Sequence, residues 1–307
     1  MPISRRACLI GIAAAPSLAL GAAEVGADVT ARRAAYRRWL ESLPKAAAPE
    51  LTKHGLVATE LARWPVLEAN QAAAVDAKHF YGIGNHAIVK HRRDTGARVA
   101  EWFGERGGPI VHFNSAYVDR KELILAHSNF PQLPMASSLE VFSAETLKPV
   151  RSTSFGIRLG SLTWATRRQG HWFACFANYN DSGTTPGFDQ RWTQVAKYDD
   201  CWQMLESWLF PPQVIATWGA SACSGGDFGP DGLLYVTGHD APELYVLRLP
   251  RTGVTLEYIT TIDIPFEGQG WAWDRSRPDE RTIFGISRRT QEVVSARIPA
   301  IPTELVF

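Results

Sequence analysis

The stretch "GGDFGPDGLLYVTGHDAPELYVLRLPRTGVTLEYITTI" (residues 225–262) decides the fold, because it holds four short apolar segments separated by turn residues. The separating sequences, Gly-Pro-Asp-Gly, Gly-His-Asp and Pro-Arg-Thr-Gly, are typical of turns between antiparallel strands. Four strands in about forty residues is the size of one blade of a β-propeller. A blade cannot bury its apolar faces alone, so the same unit should recur elsewhere in the chain.

Four further segments repeat this pattern. Each has a small or apolar first strand, a charged turn, an aromatic and aliphatic second strand, and an alternating third strand. The second strands, "HFYGI", "LILAH", "WFACF", "LLYVT" and "TIFGI", show the similarity best. The five units occupy residues 70–102, 110–155, 160–210, 225–262 and 268–298. The sequence therefore predicts an all-β, five-bladed β-propeller in residues 64–307, with the ring itself in residues 64–299.

The fifth unit stops after its third strand, near Ile298. Its missing strand must come from elsewhere, because an open sheet edge invites aggregation. Two segments could supply it. One is "ARWPVLE" (residues 62–68), which precedes the first unit, and the other is the tail "TELVF" (residues 303–307).

The N-terminus has the features of an export signal. Arg5-Arg6 precedes an apolar run from Ala7 to Ala23, which predicts a twin-arginine-like signal peptide in residues 1–27. The mature protein is then periplasmic or secreted; the alternative is an uncleaved membrane anchor. Residues 28–63, which include "TARRAAYRRWLESL", have apolar residues at helical spacing and predict a short N-terminal helical segment.

Composition narrows the classes of partner. The net charge is +1 and the charged residues form no basic stripe, so nothing favours nucleic acid. We expect a monomer that binds a small molecule or a glycan and does not contact the membrane once the signal is removed. Cys175, Cys201 and Cys223 remain after signal removal, and no Cys-x-x-Cys pair is present. We predict three free thiols.

Polar residues recur at one end of the predicted strands. Because neighbouring strands are antiparallel, the starts of the inner strands and the ends of the second strands share one face of the propeller. "IVHFNSAYVDRKELILAHSN" (residues 110–129) places one His-x-Asn sequence at each of these positions. The predicted catalytic residues are His112, His127, His239 and Asp227. The predicted substrate-binding residues are Asn114, Asn129, Asn178, Asp240, Gln269, Trp271 and Arg288.

The long insertions agree with this placement. Residues 129–138, 178–192 and 210–226 all leave or join strands at the same face, where they could wall a pocket. The opposite face receives short charged turns such as "VDRKE" and "DRSRPDER", which predict a solvated rim. We therefore expect the three histidines to meet at one mouth of the central channel.

These side chains can carry out proton transfer and oxyanion stabilisation. Histidine acts as a general acid or base near neutral pH, and asparagine amides donate to a developing negative charge. Arg288 could bind a substrate carboxylate, since its planar guanidinium matches one. This chemistry requires no organic cofactor. A divalent ion, calcium or zinc, is the competing use of the histidine and aspartate donors.

Several segments resemble a known group of proteins. "GPDGLLYVTGHDAPELYVLRLP", "GQGWAWDRS…FGISRRTQEVVSARI", "GPIVHFNSAYV", "AHSN" and "GSLTW" are similar to secreted bacterial propellers often labelled cycloisomerase, over residues 64–299. More distantly, five blades behind an export signal resemble plant-type glutaminyl cyclases, and "GPDGLLYVT" resembles propeller lactonases. The resemblance implies a cyclase, cycloisomerase, lyase or lactonase.

A non-catalytic glycan- or protein-binding propeller is the alternative function. Trp164, Trp172, Trp271 and Trp273 could stack on sugars, or they could fill the core between blades.

Overall fold

The computed structural model of the protein describes residues 21–42, 50–157, 160–180 and 185–306. The chain divides into two units, residues 1–49 and residues 50–307. In the first unit, Gly21–Ser42 forms helix α1. Residues 1–20 of the predicted signal peptide lie outside the described residues, so that prediction stays open. None of the described helices is long and apolar enough to cross a membrane.

Among the described residues of the predicted helical segment, residues 28–63, the helix extends only as far as Ser42. The prediction of a helix in the last part of this segment is wrong. Strands β1 (Leu56–Val57) and β2 (Thr59–Pro65) occupy that part instead. Trp64 gives the physical reason. Its ring lies 4.7 Å from that of Phe80 and 5.9 Å from that of Phe284, so the strand is fixed by contacts with distant parts of the second unit.

The second unit contains five small antiparallel sheets arranged as a five-bladed propeller, which confirms the predicted fold. Blade 1 contains β3 (Ala72–Val75), β4 (His79–Gly84), β5 (Ala87–Arg92) and β6 (Arg98–Phe103). Blade 2 contains β7 (His112–Asp119), β8 (Glu122–Ser128), β9 (Ser137–Ser143) and β10 (Pro149–Gly156). Blade 3 contains β11 (Ser161–Arg168), β12 (His171–Ala177), β13 (Gln194–Tyr198) and β14 (Met204–Leu209).

The remaining two blades follow helix α2 (Pro212–Thr217). Blade 4 contains β15 (Gly225–Phe228), β16 (Leu234–Thr237), β17 (Glu243–Arg248) and β18 (Glu257–Asp263). Blade 5 contains β19 (Ala272–Trp273), β20 (Thr282–Ser287) and β21 (Glu292–Arg297). Short 3₁₀ helices form at Gln190–Trp192 and Pro278–Glu280, and helix α3 (Thr303–Val306) follows the last strand.

Strand β2 closes the ring, as predicted for residues 62–68. It pairs antiparallel with β21 and supplies the missing outer strand of blade 5. Strand β1, just before it, pairs parallel with β18 at the outer edge of blade 4. The segment therefore joins two blades, and the alternative candidate, the tail, is helix α3 instead.

Apolar side chains fill each interface between neighbouring blades. Five clusters are found in residues 50–306, and each one joins two adjacent blades. The four tryptophans proposed as sugar platforms or core residues are all buried. The three cysteines outside the signal are free thiols, as predicted. Burial between blades explains most of the aromatic content without invoking a ligand.

The two faces of the propeller differ as predicted. Inner strands begin at the face that carries the insertions 129–136, 178–193 and 210–224, which we call the upper face. The short charged turns lie on the opposite, lower face. Strands β7 and β19 touch across the axis between these faces. A Cβ atom on Gly270 would lie 2.6 Å from both the Ala72 Cβ and the Asn114 carbonyl oxygen, so only glycine fits there. The backbones of blades 1, 2 and 5 therefore approach each other closely at this point.

Candidate functional site

The two His-x-Asn sequences of blade 2 lie at the start of β7 and at the end of β8, which are adjacent strands. Their histidines do not share a face of the sheet. His112 pairs with Ser128, and His127 pairs with Phe113. Residues that pair directly point to the same side, and neighbours along a strand point to opposite sides. His112 and His127 therefore lie on opposite faces of the blade.

Both ring nitrogens of His127 are used inside blade 2. The backbone N–H of Val111 donates to Nε2 at 3.0 Å, which fixes Nε2 as an acceptor. Nδ1 must then carry the proton, and it donates to Ser138 Oγ at 2.9 Å. Burial lowers the pKa of His127, in agreement with a neutral ring. His127 fixes the start of β7 with both ring nitrogens, although it lies close enough to His112 to lower the pKa of that histidine. Its catalytic role stays a prediction.

Asn129 and Asn178 also fasten the chain. The amide of Asn129 donates to the Pro134 carbonyl at 2.9 Å and accepts from the Ala136 N–H at 2.7 Å, which closes the loop above blade 2. The side chain of Asn178 donates to the Trp192 carbonyl at 3.4 Å. These contacts give the Asn129 amide a structural role in the loop, and its role in substrate binding stays a prediction. Asn178 anchors the insertion of blade 3.

His112 and Asn114 form the first part of the candidate site. Asn114 is the bulged residue of β7, since the pairing with β8 shifts between Phe113 and Ser115. Its amide donates to the Leu162 carbonyl at 2.8 Å, and its side chain also hydrogen-bonds to His112. Burial, with repulsion from His127 and His239, lowers the pKa of His112 to about 4. His112 is therefore a neutral imidazole at physiological pH.

An aromatic wall stands beside His112. The centroid of the Phe130 ring lies 5.2 Å from that of the His112 imidazole. The centroid of the Tyr179 ring lies 5.0 Å from that of Phe130. Both aromatic residues belong to the upper insertions. The insertions therefore do contribute to the surroundings of His112, as the sequence predicts.

His239, Asp240 and Arg288 form the second part of the site. His239 Nδ1 lies 2.7 Å from Asp240 Oδ1, so Nδ1 carries the proton and donates it. Arg288 Nη2 donates to the same carboxylate oxygen at 2.9 Å, and Arg288 Nη1 lies 3.3 Å from His239 Nε2. Gln269 donates to the His239 carbonyl at 3.5 Å. Blades 4 and 5 thus present one imidazole between a carboxylate and a guanidinium.

The two parts are close enough to interact, since His239 contributes to the lowered pKa of His112. His112, Asn114, His239, Asp240, Gln269 and Arg288 are the predicted residues that the fold brings to the upper mouth. This group supplies a neutral base, the Gln269 amide and one cation, whereas the Asn114 amide donates to Ser128 Oγ and the Leu162 carbonyl. Among the described residues, no group of three or more His, Cys, Asp or Glu side chains is arranged to hold a metal ion.

Asp227 and Trp271 are not part of this group. Asp227 is buried near the lower end of the channel, where it accepts from Thr166 Oγ1 at 2.7 Å and from Arg275 Nη2 at 2.8 Å. Trp271 is buried between blades 4 and 5, with its ring 5.4 Å from that of Trp273. Both predictions are corrected. β15 has only four residues, so its third residue, Asp227, lies near the lower turn.

Arg275 is the residue that sequence reasoning missed. It belongs to "DRSRPDER", which we expected to be a solvated rim. A signal was present, because Arg275 lies two residues after the end of the inner strand β19, where side chains of several blades approach each other. Its hydrogen-bond partners, Thr166 and Asp227, are distant in sequence. The local sequence pattern therefore does not predict these contacts.

Comparison with solved structures identifies the fold. The glutaminyl cyclase of Myxococcus xanthus superimposes with a TM-score of 0.56 and 11% sequence identity, over 82% of this chain and 100% of that chain. The hydrazine synthase of Kuenenia stuttgartiensis gives a TM-score of 0.44 and 10% identity, over 75% of this chain and 71% of that chain. No protein-family model and no curated sequence matches the chain. At these identities the likeness shows the five-bladed fold alone.

Proposed function

We propose that the protein is an enzyme that cyclises or otherwise rearranges a small molecule at the upper mouth. One observation carries this proposal. A neutral, half-buried histidine from blade 2, His112, lies within electrostatic range of the His239–Asp240–Arg288 group from blades 4 and 5. A histidine with a perturbed pKa beside charged groups from other elements is typical of catalytic sites.

His112 serves as the proton carrier in this proposal. Its unprotonated nitrogen accepts a proton from a substrate amine or hydroxyl as that group attacks a carbonyl carbon of the same molecule. The protonated ring then gives the proton to the leaving amine or alkoxide, and Arg288 faces the negative charge on the carbonyl oxygen. Because its pKa is about 4, His112 is ready to accept a proton throughout the physiological range.

A cyclase is the form of this activity that we favour. The structural neighbour with a TM-score of 0.56 is named a glutaminyl cyclase, and internal attack on a carbonyl needs only proton transfer. Lactone hydrolysis uses the same groups with water as the nucleophile. We propose that no organic cofactor is needed, and that a calcium or zinc ion, if used, binds at the His239–Asp240 side.

Export is part of the proposal. Arg5-Arg6 and the following apolar run support twin-arginine transport to the periplasm or beyond. Lysine at both positions should leave the precursor in the cytoplasm, and unchanged processing would argue against this route.

The activity can be tested on purified protein with N-terminal glutaminyl peptides and a panel of lactones. Mass spectrometry detects loss of ammonia from the peptides or gain of water by the lactones, with and without added calcium, zinc or chelator. His112→Gln should reduce kcat/KM about 100-fold or more if His112 carries the proton. His171→Gln, on the lower face, is the matched control. Activity in the wild type that His112→Gln leaves unchanged would contradict the assignment.

The pH profile gives a second readout. Since only the neutral ring accepts a proton, the acidic limb of kcat/KM should fall near pH 4, where His112 titrates, and not near the usual value for histidine. A limb near pH 6.5, the unperturbed value, would assign the proton transfer to another histidine.

Glycan binding is the second candidate, and a groove between blades 2 and 3 favours it. The groove has a volume of about 320 Å³ and is lined by Trp172, Trp202, Arg151, Thr153 and Asp200, among others. The two indole rings stack 4.9 Å apart, and Trp202 is held at a positive φ of 60°. A glycan array with wild type and Trp202→Ala separates this function from catalysis at the mouth.

A further inference from the structure

Four blades each contribute one side chain to a polar cluster at the lower mouth, which the proposed function does not use. The cluster consists of Tyr117 from blade 2, Thr166 from blade 3, Asp227 from blade 4 and Arg275 from blade 5. Arg275 Nη2 donates to Thr166 Oγ1 at 2.6 Å and to the Asp227 carboxylate at 2.8 Å. The guanidinium carbon of Arg275 lies 4.5 Å from the centre of the Tyr117 ring. The four blades are thus held around one cation.

Hydrogen-bond donors are left over around this cluster. All the hydrogen bonds of the Arg275 side chain to described residues are made by Nη2, so Nε and Nη1 keep three N–H groups. The Trp273 Nε1 is buried and has no partner among the described residues, and the buried Tyr117 hydroxyl, which accepts from the Arg167 backbone N–H, has no acceptor for its own proton among them. Folded proteins seldom leave buried donors unpaired, and each such group calls for a water, an ion or a ligand.

The neighbouring carboxylates do not compete for these donors. Asp274 is fully buried and already accepts from Arg93 Nη2 at 2.6 Å and from the Ser276 backbone and hydroxyl. Asp227 is occupied by Thr166, Arg275 and the Phe228 N–H. The unpaired groups at this mouth are therefore mostly donors, and because the Arg275 side chain is 36% exposed, a molecule that brings acceptors can reach its spare N–H groups.

A cavity adjoins the cluster, and its volume and lining limit the size and chemistry of a molecule that binds there. It has a volume of about 160 Å³, close to five water molecules at about 30 Å³ each. Its lining consists of Phe228, Gly229, Pro230, Trp273, Asp274, Arg275 and Pro278. One end is thus cationic and the walls are mainly apolar. The cavity shares no lining residue with the group at the upper mouth.

We propose that the lower mouth binds a small organic monocarboxylate, with the carboxylate on Arg275 and an apolar body against Phe228, Pro230, Trp273 and Pro278. Arg275 bridges two anions in the complex, Asp227 on one side and the ligand on the other. Charge-assisted bonds from guanidinium to carboxylate are among the strongest in proteins, and the apolar walls select against inorganic anions. This site is independent of the proposed enzyme function.

The test uses butyrate and its uncharged counterpart butyramide, titrated into the folded protein by calorimetry at constant ionic strength. Butyrate should bind saturably in the millimolar range, and butyramide should bind at least about tenfold more weakly. Equal affinity for the two probes, or no saturable butyrate binding, overturns the proposal and leaves a cavity filled by water only.

Variants locate the binding. Arg275→Lys keeps a cation beside Asp227 but removes the spare N–H groups, so it should fold and lose about tenfold or more in butyrate affinity. Trp273→Phe removes the indole N–H together with one of the two fused rings that line the cavity, and it should weaken binding several-fold. Arg277→Gln, an exposed arginine two residues further along, is the matched control and should bind as the wild type does. Unchanged affinity in Arg275→Lys would place butyrate elsewhere.

Discussion

The two mouths of the channel use polar residues in different ways. At the upper mouth, many polar side chains fasten loops and strands, and the amide of Asn114 is one of them. Among the described residues, His112 hydrogen-bonds only to Asn114, and His239, Asp240 and Arg288 bond mainly to one another. At the lower mouth a few side chains converge from four blades on one arginine, Arg275. This comparison shows that the number of polar residues does not identify a site. A site is indicated by polar groups whose hydrogen bonds are not already made within the fold.

The largest effect should come from removing Asp227. Its side chain is only 5% exposed and neutralises Arg275. Asp227→Ala leaves that guanidinium and Thr166 without their partner, so we expect the free energy of unfolding to fall by about 3 kcal/mol. Asp94→Ala, in an exposed pair on the same face, is the control and should cost less than about 0.5 kcal/mol. Urea denaturation measures both; similar small losses would mean that the lower cluster does not hold the blades.

His127→Ala should have the next largest effect. It removes the acceptor of the half-buried Val111 N–H and the partner of Ser138, so we expect a loss of about 2 kcal/mol at pH 7. His112→Ala should cost less, because His112 makes fewer contacts within the protein. Urea denaturation of both variants measures the difference. If the order were reversed, His112 would be the structural residue and the proposed active site would lose its central group.

The fold could be predicted because a blade is a local unit. Turn sequences and alternating apolar strands recur five times, and the unfinished fifth unit pointed to closure by residues 62–68. The strand state of residues 56–63 could not be predicted. Their composition resembles that of helix α1, and they become strands because β1 pairs with β18 and β2 pairs with β21, about 200 residues further along the chain.

The site could be predicted only in part, for a similar reason. The strand order places His112, His239 and Arg288 at one mouth, and that part needed only the repeat. The side on which each residue points depends on register, as the pairing of Phe113 with His127 shows. Asp227 and Arg275 are 48 residues apart, and only the assembled ring brings them together. The local sequence pattern thus predicts on which face of the propeller a residue lies. Its role depends on hydrogen-bond partners that are distant in sequence.

The pH dependence of stability should also distinguish the mouths, since the lower cluster of Tyr117, Thr166, Asp227 and Arg275 contains no histidine. The pKa of His112 is about 4 in the folded protein and near 6.5 in the unfolded chain, so between these values the unfolded chain binds more protons. The stabilising contribution is complete above pH 6.5 and is lost as the pH falls towards 4. Between pH 7 and pH 5 it should decrease by about 1–2 kcal/mol.

This contribution is measured as a difference between variants. Urea denaturation of the wild type and His112→Gln at pH 7 and pH 5 removes the effects of all other titrating groups. The wild type should lose more stability than His112→Gln over this range. Parallel losses would show that His112 titrates normally and is more solvated than its position indicates.

The smallest effect should come from Asp240→Asn. Asp240 is 72% exposed, and the asparagine oxygen can still accept from His239 Nδ1, so only the charge opposite Arg288 is lost. Exposed ion pairs contribute little, and we expect a change in unfolding free energy of less than about 0.5 kcal/mol, measured by urea denaturation at pH 7. Asp227→Asn, the matched change at the lower mouth, should cost clearly more, because that carboxylate is buried against Arg275. If Asp240→Asn lowered the free energy of unfolding as much as Asp227→Asn, the His239–Asp240–Arg288 group would hold the blades together as the lower cluster does. Its place in the proposed active site would then have no support, because the contrast between occupied and available polar groups would no longer hold.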